Sequence, residues 1–301
     1  MRLNQIRFFL AVVESGSIRA AARKLGVSPA AITKSLRQLE QELHVGLVER
    51  TQHGVVATPA GRAFVTRARV VQSELRKAEE EFAQFAGGPA GSVAFGVGPT
   101  TMVLIVPEAL TQFRRQYLDA RVHIIEGLSP TILPLVRDET LDFALVLRYE
   151  GKLESGLRFR PLYHDNVVIA ARKGHPLRNE RSLARLVDAQ WLTFGARSRM
   201  AMALDQAFSS AGLPAPRSMT LCDSFNSIVT LLAQTDMVAP IPRRLLASPP
   251  VRDALQQIPV AERMPSTTHG MIIRADAPLT RVAAAMAKAV IAVGRQLASR
   301  E

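Results

Sequence analysis

A chain of 301 residues exceeds what one compact core usually holds, so two or three domains are expected. Its 48% hydrophobic content is ordinary for a globular protein, and the longest apolar runs, such as 103–106, fall far short of the roughly 18 residues that a membrane span needs. The net charge of +12 favours a polyanionic partner, and a single cysteine, Cys222, excludes an intrachain disulfide and a multi-cysteine zinc site. The first residues show no apolar core followed by a small-residue cleavage site, so the expected compartment is the cytoplasm.

Residues 4–13 place Ile6, Phe9, Leu10 and Val13 on one helical stripe. Gly16 stops that helix, and Ser17 can cap a second one over 18–25, whose inner face of Ala21, Ala22 and Leu25 is small enough for close packing. Gly26 supplies a turn with positive φ, and Val27 plugs the turn into the core. Ser28 caps a third helix, with Pro29 at the first helical position, where a missing N–H costs nothing. This helix is expected to run to about Leu43, with Ile32, Leu36, Leu39 and Leu43 facing inward. Two helices joined by a short glycine turn make a helix-turn-helix, which sets the N-terminal half of its second helix in the DNA major groove. Ser28, Pro29, Ala30, Thr33, Lys34 and Arg37 are the candidate contacts there. Thr33 suits base edges and a thymine methyl, Lys34 guanine acceptors or a phosphate, and Arg37 a phosphate. Residues 47–51 and 55–58 flank Gln52-His53-Gly54 as a small hairpin, a wing, with Arg50 and His53 near the DNA backbone. A plain helical bundle with solvated charges is the competing reading.

The run 8–64 carries Ser15-Gly16-Ser17, Ala20-Ala21-Ala22, Leu25-Gly26-Val27-Ser28, Leu39-Glu40, Leu43, Arg50-Thr51 and Thr58-Pro59-Ala60-Gly61. It resembles the LysR-type transcriptional regulators across almost the whole N-terminal domain. The resemblance implies a winged helix-turn-helix, a linker helix, and a C-terminal α/β effector domain of two lobes similar to periplasmic binding proteins. It also implies homodimers and a tetramer. Double-stranded promoter DNA, a small-molecule effector and RNA polymerase are the candidate partners. Where the family usually shows Gln-Pro after the capping serine, this chain has Pro29-Ala30; Thr33 stands for a common Ser, Lys34 for a common Arg, and Leu47-Val48 for Leu-Phe. The operator preference of relatives therefore does not carry over.

Thr58 caps a long helix from Pro59 to about Phe85, ended by Gly87-Gly88-Pro89. Phe64, Ala68, Val71, Leu75, Ala78, Phe82 and Phe85 alternate steps of four and three, the seam of a two-helix coiled coil. The competing reading is a single helix packed on its own domain. From Gly91 onward strands and helices alternate, as in a doubly wound α/β fold. Strands are expected at 92–97, 121–126, 143–147, 158–163, 166–171, 191–194, 218–221, 237–240 and 269–274. Helices are expected at 101–117, 130–138, 182–187, 199–211, 225–234 and 279–296. The expected domains are 1–58, 59–88 and 89–301, the last split into lobe I (about 91–160 and 266–301) and lobe II (about 161–265).

Ligands of open α/β sheets sit outside the carboxyl ends of strands. That rule selects Thr100, Thr101, Ser129 and Arg148 in the first lobe, and Phe194, Arg197, Ser224 and Phe225 in the second. Each has a plainer reading as a helix cap or surface charge. The expected effector is small and polar, a carboxylate ahead of a sugar because two arginines can converge. No Gly-x-Ser-x-Gly elbow or Walker loop is present, and the six histidines lack metal-ligand spacing. No catalytic residue, metal site or cofactor is expected. An effector-modulated regulator, activator or repressor, is the leading reading. An architectural DNA binder with an uncoupled solute-binding module is the alternative.

Overall fold

The computed structural model describes residues 1–299 except 53, 86–90, 149–152, 154, 196–198, 250 and 276. The chain divides into two compact units, Met1–Gly91 with Arg137–Leu141, and Ser92–Val136 with Asp142–Glu301. Among the described residues no helix is long and apolar enough to cross a membrane.

In the first unit α1 (Leu3–Ser15) ends on Gly16 at φ 60°, and α2 (Ile18–Leu25) begins under the Ser17 side chain, which accepts from the Ala20 N–H. Gly26 turns the chain at φ 66° into α3 (Pro29–Leu43), where the Ser28 hydroxyl accepts from the Ala31 N–H. Ile6, Phe9, Leu10, Val12, Ala21, Ile32, Leu36 and Leu39 form the core. Leu43, expected inward, is 36% exposed, because α3 continues one turn past the core before His44 closes it in a left-handed conformation. The antiparallel hairpin β1 (Val48–Thr51) and β2 (Gly54–Ala57) follows. The Glu40 carboxylate anchors its entry, accepting from the Leu47 and Val48 N–H groups at 2.7 and 3.2 Å.

Thr58 joins the hairpin to α4 (Pro59–Phe85): its hydroxyl donates to the Gly46 carbonyl at 2.7 Å and accepts from the Gly61 N–H at 2.9 Å. A Cβ at Gly61 would collide with the Leu47 carbonyl oxygen, so only glycine lets the helix start lie this close to the hairpin. Phe64 packs edge-on to Phe9 at 5.2 Å and Ala68 is buried, which ties the first three turns of α4 to the core. Farther along, Val71, Leu75, Ala78 and Phe82 are exposed, Phe82 by 72%. On another face of the helix, Ser73 donates to the Glu139 carbonyl and the buried Lys77 ammonium meets the Glu139 carboxylate at 2.7 Å. The helix thus packs one face while leaving the seam open. The Phe85 side chain and the Gly87-Gly88-Pro89 stop lie outside the described residues.

The second unit runs β3 (Ser92–Val97), α5 (Pro99–Leu104), α6 (Val106–Arg114), β4 (Arg121–Glu126), α7 (Ser129–Arg137) and β5 (Phe143–Leu147). It continues through β6 (Leu157–Arg172), β7 (Gln190–Thr193), α8 (Arg199–Ser210), β8 (Ser218–Leu221), α9 (Phe225–Gln234) and β9 (Met237–Pro242). It closes with α10 (Arg243–Leu246), β10 (Leu255–Ile258), β11 (Ser266–Arg274) and α11 (Arg281–Ala298). The strands join in the order β4-β3-β5-β11-β6-β9-β7-β8, with β10 paired to β6. Pairs β3–β4, β3–β5, β7–β8 and β7–β9 are parallel, while β6 and β11 run antiparallel to their neighbours.

The structure departs from the sequence expectation in four places. The helix expected over 101–117 breaks at Ile105, where Pro107 in the first turn of α6 lacks an N–H and its ring opposes the carbonyl four residues back. The two strands expected at 158–163 and 166–171 are one, because Asp165 keeps the chain extended, accepting from the Asn166 N–H at 2.9 Å and from the Arg244 N–H. The helix expected at 182–187 is a single 3-10 turn, Leu183–Leu186. Short α10 and β10 were not foreseen; they carry too few residues to show a periodicity.

Two half-sheets therefore share β6. Its first part pairs with β11 and its second with β9 and β10. Phe95 stacks on Phe143 at 5.0 Å in one half, and Trp191 meets Phe208 edge-on at 5.4 Å in the other.

Candidate functional site

Two surfaces emerge. The first is the outer face of α3. With Ile32, Leu36 and Leu39 buried, the 3.6-residue period turns Pro29, Ala30, Lys34 and Arg37 to solvent. Thr33 is partly exposed, and its hydroxyl donates to the Pro29 carbonyl at 3.0 Å, leaving its lone pairs for an incoming donor. Lys34, Arg37 and the exposed Arg50 on β1 enter no ion pair among the described residues. Ser28 serves as the cap, while His53 lies outside the described residues. Uncompensated cations beside a slim helix face match the depth and acceptor pattern of the major groove.

The second is a cleft, partly open to solvent, at the carboxyl ends of the parallel strands of the second unit. Of the eight residues selected from sequence, Thr100, Thr101, Ser129, Phe194 and Phe225 line it. Thr101 is 1% exposed, and its hydroxyl is spent on the Gly98 and Leu145 carbonyls at 2.9 and 3.3 Å. Arg148 is exposed and sits over the Phe159 ring at 5.7 Å instead of lining the cleft. Ser224 caps α9, accepting from the Ser227 N–H, and is likewise not in the lining. Arg197 lies outside the described residues.

Sequence reasoning missed Thr193, His269, Leu128, Ile228 and the Pro240–Pro242 wall. Thr193, the last residue of β7, is 2% exposed, and its hydroxyl has no hydrogen-bond partner among the described residues. A buried hydroxyl without a partner is costly, so this oxygen marks a place where a polar ligand atom would be stabilised. The strand-end rule came within one residue of it at Phe194. His269 escaped because it lies on antiparallel β11, to which the rule does not apply.

His269 is stacked on Tyr163 at 4.7 Å, and burial pushes its imidazole down to about 3. It is therefore neutral in the folded protein at pH 7. Below the unfolded value of 6.5 the unfolded chain takes up a proton that the folded chain refuses, so stability falls as pH drops from 6.5 toward 3. The limiting slope is about 1.4 kcal/mol per pH unit. Burial raises the Asp165 carboxyl, whose contribution has the opposite sign on acidification. Denaturant unfolding of wild type and His269→Phe at pH 7, 6, 5 and 4.5 separates the two. The variant, which keeps an aromatic ring against Tyr163, is expected to lose the fall between pH 6.5 and 4.5; parallel curves would refute the neutral assignment.

The family model for a bacterial regulatory helix-turn-helix protein of the lysR family matches residues 3–62, and that for the LysR substrate binding domain matches residues 86–295. The chain is 28% identical over 268 residues to the HTH-type transcriptional regulator GalR of Pseudomonas putida, covering 89% of this chain and 67% of the relative. It is 28% identical over 283 residues to the regulator GbpR of Azospirillum brasilense, covering 93% and 83%. Its fold is similar to the crystal structure of ArgP from Mycobacterium tuberculosis, with a TM-score of 0.73, 18% identity, and coverage of 96% of both chains. With both of its domain models matched in chain order around the helix face and the cleft, the chain belongs to the LysR family of DNA-binding transcriptional regulators.

Proposed function

We propose that this regulator reads its operator through Ser28, Pro29, Ala30, Thr33, Lys34 and Arg37, steadies the contact with Arg50 and His53 on the wing, and is switched by a small molecule held in the cleft. The working division is 1–58 for DNA, 59–88 for self-association, and 89–301 for the effector, with lobe I at about 91–160 and 266–301 and lobe II at about 161–265. The site of action is the cytoplasm, and the assembly is a homodimer or a tetramer built from dimers.

The observation that carries this reading is the exposed cationic face of α3, whose Lys34 and Arg37 enter no ion pair among the described residues, set opposite the buried Ile32, Leu36 and Leu39. Thr100, Ser129 and Thr193 support the effector role. Ligand binding that differs between two arrangements of the effector domain would shift how paired helices meet two half-sites. A mobility-shift titration with DNA from upstream of the protein's own gene tests it. Tight association that weakens steeply between 50 and 200 mM salt is expected. Association with no duplex at any salt would refute it.

Self-association is supported by the exposed row Val71, Leu75, Ala78 and Phe82 on α4. Leu75→Asp places a charge in the middle of that seam. Sedimentation is expected to show dissociation at protein concentrations at least tenfold higher than for wild type. An unchanged mass distribution would count against the seam.

A further inference from the structure

Given the effector-switched reading proposed above, a change in the cleft has to reach α4, the helix that leads back to the DNA-binding core. A buried ion pair lies on that route. Lys77 on α4 meets the Glu139 carboxylate at 2.7 Å, and both side chains are only 8% exposed. One turn earlier on the same face, the Ser73 hydroxyl donates to the Glu139 carbonyl at 2.9 Å. Glu139 is therefore gripped twice, by main chain and by side chain. Its backbone stands at φ 59°, a left-handed conformation that is costly for a glutamate and persists only where the surroundings enforce it. Lys77 also meets the half-exposed Glu74 at 2.6 Å, so its ammonium keeps a partner when Glu139 lets go.

The segment Arg137–Leu141 packs within the first unit, although α7 up to Val136 before it and β5 after it belong to the second. The chain itself joins the two units here, and it has little slack. Before the segment, the Val136 carbonyl accepts from the Arg274 guanidinium on β11 at 2.8 Å. After it, the Asp142 N–H donates to the Ala94 carbonyl on β3 at 2.7 Å, and the Asp142 carboxylate accepts from the Ala94 N–H at 2.8 Å. At its other end α7 opens on Ser129, which is buried and lines the cleft, and Ile132 and Val136 are fully buried along it. A helix packed in this way moves as a rod, so a displacement at Ser129 arrives at Arg137 without being absorbed.

We propose that Glu139 is the positioning residue that couples the cleft to the DNA-binding helices, and that its grip on Ser73 and Lys77 is a catch with a closed and an open state. Half-open arrangements are disfavoured, because partly separated charges in buried surroundings have lost both their water and each other. Opening lets Glu139 leave its left-handed backbone, which offsets part of the lost pairing. These opposed contributions make the element bistable. An effector that displaces α7 biases the catch from one side, and DNA that holds α4 biases it from the other. Such linkage is reciprocal, so operator DNA changes α7 to the same degree that an effector changes operator affinity.

Reciprocity allows the duplex itself to serve as the probe. Hydrogen exchange of the full-length protein is followed with and without DNA from upstream of its own gene. In the wild type the duplex is expected to protect 28–37 on α3 and to change exchange several-fold over 129–141. Combining Lys77→Met with Glu139→Gln removes both charges and so leaves neither buried without its partner. In that double variant the protection of 28–37 is expected to remain and the response over 129–136 to vanish. Lys77→Arg keeps the cation and is expected to keep the wild-type response, which a role in packing alone would not predict. Should the double variant fail to fold, Glu139→Gln alone, which leaves Lys77 paired with Glu74, carries the same comparison. The inference is overturned if the duplex protects α3 of the wild type but leaves 129–141 unchanged, or if the variant without the pair responds over 129–136 as the wild type does. A wild type whose α3 no duplex protects refutes the DNA reading itself, and the catch then has nothing to couple.

Discussion

Gly61→Ala is expected to destabilise the DNA-binding unit by about 2–3 kcal/mol and to abolish operator binding. The sign is the informative part. At an open helical position the same change stabilises by roughly 0.5–1 kcal/mol, because glycine is a poor helix former. Here the added methyl would collide with the carbonyl oxygen of Leu47. That oxygen cannot retreat freely, since it accepts from the Thr58 N–H at 3.0 Å. Thr58 in turn holds Gly46 and Gly61. Relief requires α4 to lift from the hairpin, which takes Phe64 off Phe9 and shifts the wing that carries Arg50. Gly46→Ala is the control, because its Cβ would meet only a Glu40 carboxylate oxygen at 4.0 Å. Differential scanning calorimetry of the two variants should show a lowered N-terminal transition for Gly61→Ala alone. Equal effects would mean that the close approach carries no strain.

Removing both cations from α3 with Lys34→Ala and Arg37→Ala is expected to weaken operator binding about 100-fold or more, since each base or phosphate contact is worth roughly 1–3 kcal/mol. The fold is expected to stay intact, as both side chains are exposed and neither enters an ion pair among the described residues. The salt dependence separates their roles. A side chain that neutralises a phosphate contributes about 0.9 to the slope of log K against log salt, whereas a base reader changes which sequence is preferred. Arg37→Ala should mainly reduce the slope. Lys34→Ala should also relax discrimination at one base pair if it reaches guanine. Thr33→Ala should leave the slope unchanged and alter preference where a thymine methyl is met. A double variant that binds its operator like wild type would remove α3 from the interface.

The parts of the fold that could be read from sequence are those fixed by neighbours along the chain. Gly16, Ser17, Gly26 and Ser28 act within four residues of themselves, and each stands where its chemistry placed it. The step pattern of α4 is likewise local, and Val71, Leu75 and Phe82 do lie exposed along it. What escaped depends on distant partners. The continuity of β6 through His164 and Asp165 looked like a break because two polar residues interrupt an apolar run. Their satisfaction comes from the Arg244 N–H and from Thr267 and Thr268 on β11. The strand-end rule picked loops whose residues line the cleft, but not which side chains turn inward. Arg148 follows β5 yet lies over Phe159, a ring eleven residues further along the chain that no local spacing points to. Leu43 failed for a simpler reason: a periodic stripe says which face is apolar, not where the neighbouring elements stop.

The single 16-residue run of β6 has a consequence for how the second unit comes apart. Rungs of both half-sheets are nailed to the same ladder rail, one set to β11 and the other to β9 and β10. The two halves hold successive stretches of one continuous strand, 157–166 against β11 and 167–172 against β9 and β10, so melting either half leaves the other's rail frayed at the junction. Amides of 157–172 should therefore exchange with solvent only in the slowest, global opening, and heating should melt residues 92–299 as one cooperative block.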